Sequence, residues 1–174
     1  MRKISIITSL VVLFALLSCN NKEKDLQTKI EKNVKEYKEA KDVAKKNELR
    51  PIILSDIEAF NLDFSSNEKC ALFLYAASEI SIENMEIDKS LKYLIDLYEK
   101  YPNYEKAADV VLNIGILSDS KGDVENAKKY YNEFINKFPN HKNINVAKEA
   151  LSLVGKDVDE IVRQFEEKAK DSIK

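Results

Sequence analysis

The sequence predicts an all-α fold: a short α-solenoid of helix pairs, closed by a C-terminal capping helix and preceded by a signal helix. Three observations predict it. Helix formers dominate, and the 174 residues include only three glycines, three prolines and no tryptophan. Apolar residues recur at helical spacing through residues 50–155. The pattern also returns every 37 residues, as an internal repeat does. Length allows one domain.

Residues 1–19 stand apart from that fold. Arg2-Lys3 is a short basic segment, and Ile4 to Leu17 is an apolar run of 14 residues. Such a run is short for a membrane span and right for the core of a signal peptide. It ends in Leu16-Leu17-Ser18-Cys19, which resembles the bacterial lipobox. That resemblance implies acylation of the Cys19 thiol and cleavage just before it. Membrane attachment would then rest on acyl chains, at about 0.8 kcal/mol for each buried CH₂. Loss of the signal leaves 26 basic and 30 acidic residues, a formal charge of −4. This balance speaks against nucleic acid and against a polybasic contact with anionic lipid.

Residues 20–49 read as a polar tether and helical spacer. Asn20 to Asp25 is charged; it faintly resembles a surface-export tag, and otherwise is a solvated linker. Leu26, Ile30, Val34, Tyr37, Val43 and Ala44 make a thin apolar stripe, with i,i+4 pairs such as Glu31 and Lys35. A coiled coil needs sustained heptads, which do not persist, so a spacer frayed toward the membrane is expected. Arg50-Pro51 is expected to begin the next helix, because proline suits a first turn.

Residues 50–155 hold the repeat. Residues 51–64 match the second helix of a pair, with Ser65 where a closing proline would stand. Cys70 follows among Ala71, Leu72 and Phe73. With Cys19 lipidated it has no disulfide partner, and it reads as a small core residue rather than a reactive thiol. The clearest copy runs from Ala108 to His141. Val110, Val111, Ile114 and Leu117 line its first helix. Gly122 suits a left-handed turn, and Asp123 suits the cap of the second helix. Ala127, Tyr130, Tyr131, Phe134, Ile135 and Phe138 form the next stripe, and Pro139 ends it. At a shift of 37, Phe60, Leu97 and Phe134 fall in one column, and Ser78, Gly115 and Ser152 in another.

This unit resembles the tetratricopeptide repeat, a helix-turn-helix of about 34 residues. The motif's small residue falls on Gly115, its alanine on Ala127, its aromatic on Tyr131 and its proline on Pro139. The earlier copy begins at Ala71 and has Ser78, Ser90, Leu94 and Pro102 in those places. Val111, Ser118 and Phe134 depart from the motif. With the lipobox and the ending Val154-Gly155-Lys156, Asp159-Glu160-Ile161, Phe165-Glu166, the chain looks like a small repeat lipoprotein of Gram-negative envelopes. It is more distantly similar to the lipoprotein of the outer-membrane β-barrel assembly machinery and to the Tol-Pal-associated repeat protein.

Residues 156–174 read as the cap. Asp157 to Glu160 is close to a capping box, and Val158, Ile161, Val162 and Phe165 share one helical face.

Signs of catalysis are nearly absent. His141 is the single histidine and is expected exposed in a turn. No CxxC accompanies it, and the glycines are scattered at 115, 122 and 155. No enzyme activity, metal or cofactor is expected. The resemblance implies instead a concave binding face built from the first helix of each pair. Its positions are Leu72, Tyr75, Glu79 and Ile82, then Asp109, Leu112, Ile116 and Asp119, then Val146, Glu149 and Leu153. Apolar and acidic side chains together suit a protein segment with apolar anchors and Lys or Arg. The competing reading has neighbouring helices or the N-terminal spacer covering many of these positions. The expected function is a lipid-anchored interaction scaffold, at the periplasmic face of the outer membrane. The alternative is a surface-exposed lipoprotein that captures a ligand or glycan.

Overall fold

A computed structural model describes the backbone of residues 2–171 and the side chains of residues 21–171, apart from Gln164, Glu167, Lys168 and Asp171. The lipidation expected at Cys19 therefore lies outside the described residues. Among the described residues there are eight helices and no strand, and no helix is long and apolar enough to cross a membrane. The chain divides into two compact units, Met1–Asn84 and Met85–Lys174.

The first unit comprises α1 (Arg2–Glu39), α2 (Val43–Asp63) and α3 (Lys69–Glu83). The stretch expected as tether and spacer is a packed helix. Ile30 and Tyr37 of α1 are buried where it lies on α2 and α3. Ion pairs rim that contact: Lys22–Asp63 at 2.9 Å, Lys29–Asp56 at 2.9 Å, Lys69–Glu31 at 3.4 Å and Lys38–Glu79 at 3.0 Å. The apolar stripe stops at Tyr37, and Val43 and Ala44 are exposed.

Pro51 does not start a helix. The start belongs to Asp42, whose side chain accepts from the Ala44 amide at 3.0 Å, and Pro51 sits inside α2. An interior proline costs roughly 3 kcal/mol. Leu49 before it, and Ile53, Leu54, Ile57 and Phe60 after it, are buried and hold the helix on both sides. Phe60 stands edge-on to Phe73, ring centres 5.1 Å apart. Cys70 is the small core residue expected, fully buried, its Sγ donating to the Phe64 carbonyl at 3.2 Å.

The second unit comprises α4 (Ile87–Lys100), α5 (Ala107–Ser120), α6 (Val124–Lys137), α7 (Ile144–Leu153) and α8 (Val158–Asp171). From α4 to α7 each helix packs on the next, the order of a helical-repeat solenoid. The turn between α5 and α6 forms as the residues dictate. Gly122 has φ +76°, and Asp123 accepts from the Asn126 amide at 3.1 Å. Gly115 lets α5 approach α6. A Cβ placed there would stand 2.8 Å from the Tyr131 ring. Phe138 closes α6 through its amide on the Phe134 carbonyl, just ahead of Pro139.

The C-terminal helix is present, with Asp157 accepting from the Glu160 amide at 2.8 Å. The end of α7 is closed by buried Val154, and by Gly155, whose position for a Cβ lies 3.1 Å from Val124. The stripe of α8 stays largely outward: Val158 is 74 %, Val162 49 % and Phe165 46 % exposed.

Candidate functional site

The concave-face positions divide between the two units. In the first unit they lie on α3. Leu72 and Ile82 are exposed and Tyr75 is half-buried, while Glu79 is engaged by Lys38 of α1. Tyr37, Lys38, Glu79, Ile80, Ile82 and Glu83 line an open cleft of about 350 Å³. Tyr37 anchors it, accepting from the Asn84 side-chain amide at 3.0 Å. Burial pushes its hydroxyl pKa above the ordinary tyrosine value. The sequence reading missed this cleft, because Lys38 and Glu79 are 41 residues apart. The signal available was Tyr37 continuing the Ile30 face.

In the second unit the positions lie on α5 and α7. Ile116 and Val146 are exposed, 41 % and 54 %. Glu149 is exposed, and Leu153 is half-buried. Leu112 is not a surface anchor: it is buried, in line with Val111 and Gly115, and contributes to packing. Asp119 is hydrogen-bonded to the Tyr131 hydroxyl. Burial first, then the Asp119 charge and that bond, push Tyr131 up to about 12. Asp109, in the first turn of α5, lies 3.7 Å from His141 Nε2.

His141 is not the exposed turn residue expected. Its side chain is 21 % exposed. The ring stands edge-on to Phe134 at 5.2 Å, and Nδ1 accepts from the Asn143 amide at 3.3 Å. It joins the loop before α7 to the starts of α5 and the end of α6, which is a structural use of imidazole.

A second polar clasp ties α4 to α6. The Tyr98 hydroxyl donates to Glu133 at 2.5 Å, and Lys137 donates to Tyr98 and pairs with Glu133 at 2.8 Å. Burial pushes the Glu133 carboxyl up, but the bonds from Lys137 and Tyr98 outweigh it and hold the group below its usual range. Those bonds hold Lys137 protonated. Such a group fixes helix packing. Among the described residues no cluster of His, Cys, Asp or Glu is arranged to hold a metal.

What remains at the predicted positions is a set of exposed or half-buried apolar and acidic side chains on α3, α5 and α7. Residues 109–141 match the tetratricopeptide repeat family, a span that contains Gly115, Ala127, Tyr131 and Pro139. This supports a tetratricopeptide-repeat protein. Such repeats are typically non-catalytic interaction modules, and no enzyme family is indicated. A comparison with curated proteins finds no match.

Proposed function

We propose that this chain is a non-enzymatic scaffold of the cell envelope, anchored by lipid on Cys19 to the periplasmic face of the outer membrane. It binds a segment of a protein partner along the first helix of its repeats. One observation carries the binding part. Ile116 and Val146 stand exposed on α5 and α7, with the carboxylates of Asp109 and Glu149 on the same two helices. Exposed apolar side chains with acidic neighbours suit a segment that offers apolar anchors and Lys or Arg. The anchoring part is supported by the residues Leu16-Leu17-Ser18-Cys19 after a signal-like run.

The burial of Leu112 moves the useful probe position to Ile116. A photoreactive residue there, in living cells, should give one dominant protein adduct by mass spectrometry. Ile116→Asp in a chain probed at Val146 should abolish that adduct. No adduct from a chain shown to be folded and membrane-bound would overturn the scaffold reading. Cys19→Ser should remove the lipid mass and release the chain from the membrane fraction; unchanged fractionation would overturn the anchor.

A further inference from the structure

We infer that α8 is a self-association helix, and that its occupant is the α8 of a second copy of this chain in antiparallel orientation. The helix has the composition of an interface rather than of a solvated tail. Val158, Val162 and Phe165 are 74 %, 49 % and 46 % exposed, and half-buried Ile161 and exposed Ala169 extend the same face. At about 100° per residue these five side chains share one narrow stripe. The 14 residues of α8 span roughly 21 Å, enough for about three apolar layers.

The charges beside the stripe identify the occupant. Asp159, Arg163, Glu166 and Lys170 follow one another along a single flank, all exposed, in the order acid, base, acid, base. Their spacing of i, i+4, i+7 and i+11 keeps them on one side of the apolar face. The order is self-complementary when reversed. Two copies of α8 laid antiparallel, stripe against stripe, bring this flank against itself. Asp159 then faces Lys170 of the second copy, and Arg163 faces Glu166 of the second copy, so the two-fold axis generates four opposite-charge pairs. A closed two-fold contact of this kind needs the same patch on both subunits. Lys156 pairs with Glu160 at 3.7 Å, and neither belongs to that flank. One short helix pair makes a small interface, so the dimer is expected to be weak.

The test uses the full chain in two differently tagged forms expressed together and crosslinked before lysis, so that a weak dimer is retained through purification. Wild-type copies should co-purify. A chain with Asp159→Lys and Glu166→Lys carries a uniformly basic flank. A chain with Arg163→Glu and Lys170→Glu carries a uniformly acidic one. Each should lose self-association by on the order of tenfold or more, because attraction becomes repulsion at every pair. Mixing basic with acidic copies should restore it, which also shows that neither variant has simply failed to fold. Failure of wild-type copies to co-purify would overturn the inference. So would uniform-flank copies that associate with themselves as well as wild type does, since assembly would then lie elsewhere.

Discussion

Two turns 37 residues apart take the same left-handed step with very different residues. In Lys121-Gly122-Asp123 the step falls on glycine at φ +76°, and Asp123 caps the helix that follows. In Asn84-Met85-Glu86 it falls on methionine at φ +57°, and Glu86 makes no side-chain cap bond. Methionine at positive φ is strained by its Cβ, whereas glycine is not. Both turns thus contain one residue at positive φ, and only the later one carries residues that ease it. The family match follows the residues: it falls on 109–141, the copy with the glycine and the cap.

The largest test of that contrast breaks the better copy at its packing. Gly115→Ala should destabilise the fold by about 2 kcal/mol, because the Tyr131 ring 2.8 Å away must shift. Thermal unfolding would read this; an unchanged midpoint would mean the ring yields freely. Exchanging the turn residues comes next. Gly122→Met should cost about 1 kcal/mol and Met85→Gly should stabilise by up to about 1 kcal/mol, less what glycine costs in chain entropy. Equal signs for the two would refute the shared backbone step. The caps should differ more modestly. Asp123→Ala should lower the urea midpoint, while Glu86→Ala should leave it nearly unmoved.

The last effect appears only in alkali. Tyr131 has a folded pKa raised to about 12, above the ordinary value of 10.0. The folded state therefore keeps the proton longer, and the contribution is whole below pH 10 and lost as pH rises toward 12. Tyr131→Phe should flatten that part of the stability profile. The equivalent place in the earlier copy is Leu94, which does not titrate, so Leu94→Phe should not.

What was legible in the sequence was local chemistry. Gly122, Asp123 and Pro139 act through their own backbone or the next few residues, and each does what its type dictates. The apposition of Gly115 and Tyr131 was legible only as a matched pair of motif positions. The misses are of another kind. Nothing near Lys38 or Lys22 shows that their partners are Glu79 and Asp63, so α1 read as a spacer. Pro51 is a good first-turn residue, but Asp42 is a better start, and the apolar side chains around Pro51 keep the helix whole. Leu112 occupies a groove position in the motif, yet it is buried here, while Ile116 one turn later is exposed. His141 follows the closing proline, which suggests an exposed turn, but its ring packs edge-on to Phe134 instead.

The early docking of α1 sets the reach of the molecule. Lys22 already pairs with Asp63, and Glu23 accepts from Asn67 at 2.7 Å. Were Cys19 lipidated as proposed, only the residues between it and Lys22 would separate the acyl chains from the packed body, at most about 11 Å of chain. The first unit would then sit as a foot on the bilayer rather than as a float on a long leash. Its search volume would be a thin layer at the membrane. Partners confined to the same surface would meet it at high effective concentration, and even a modest binding face would be kept filled.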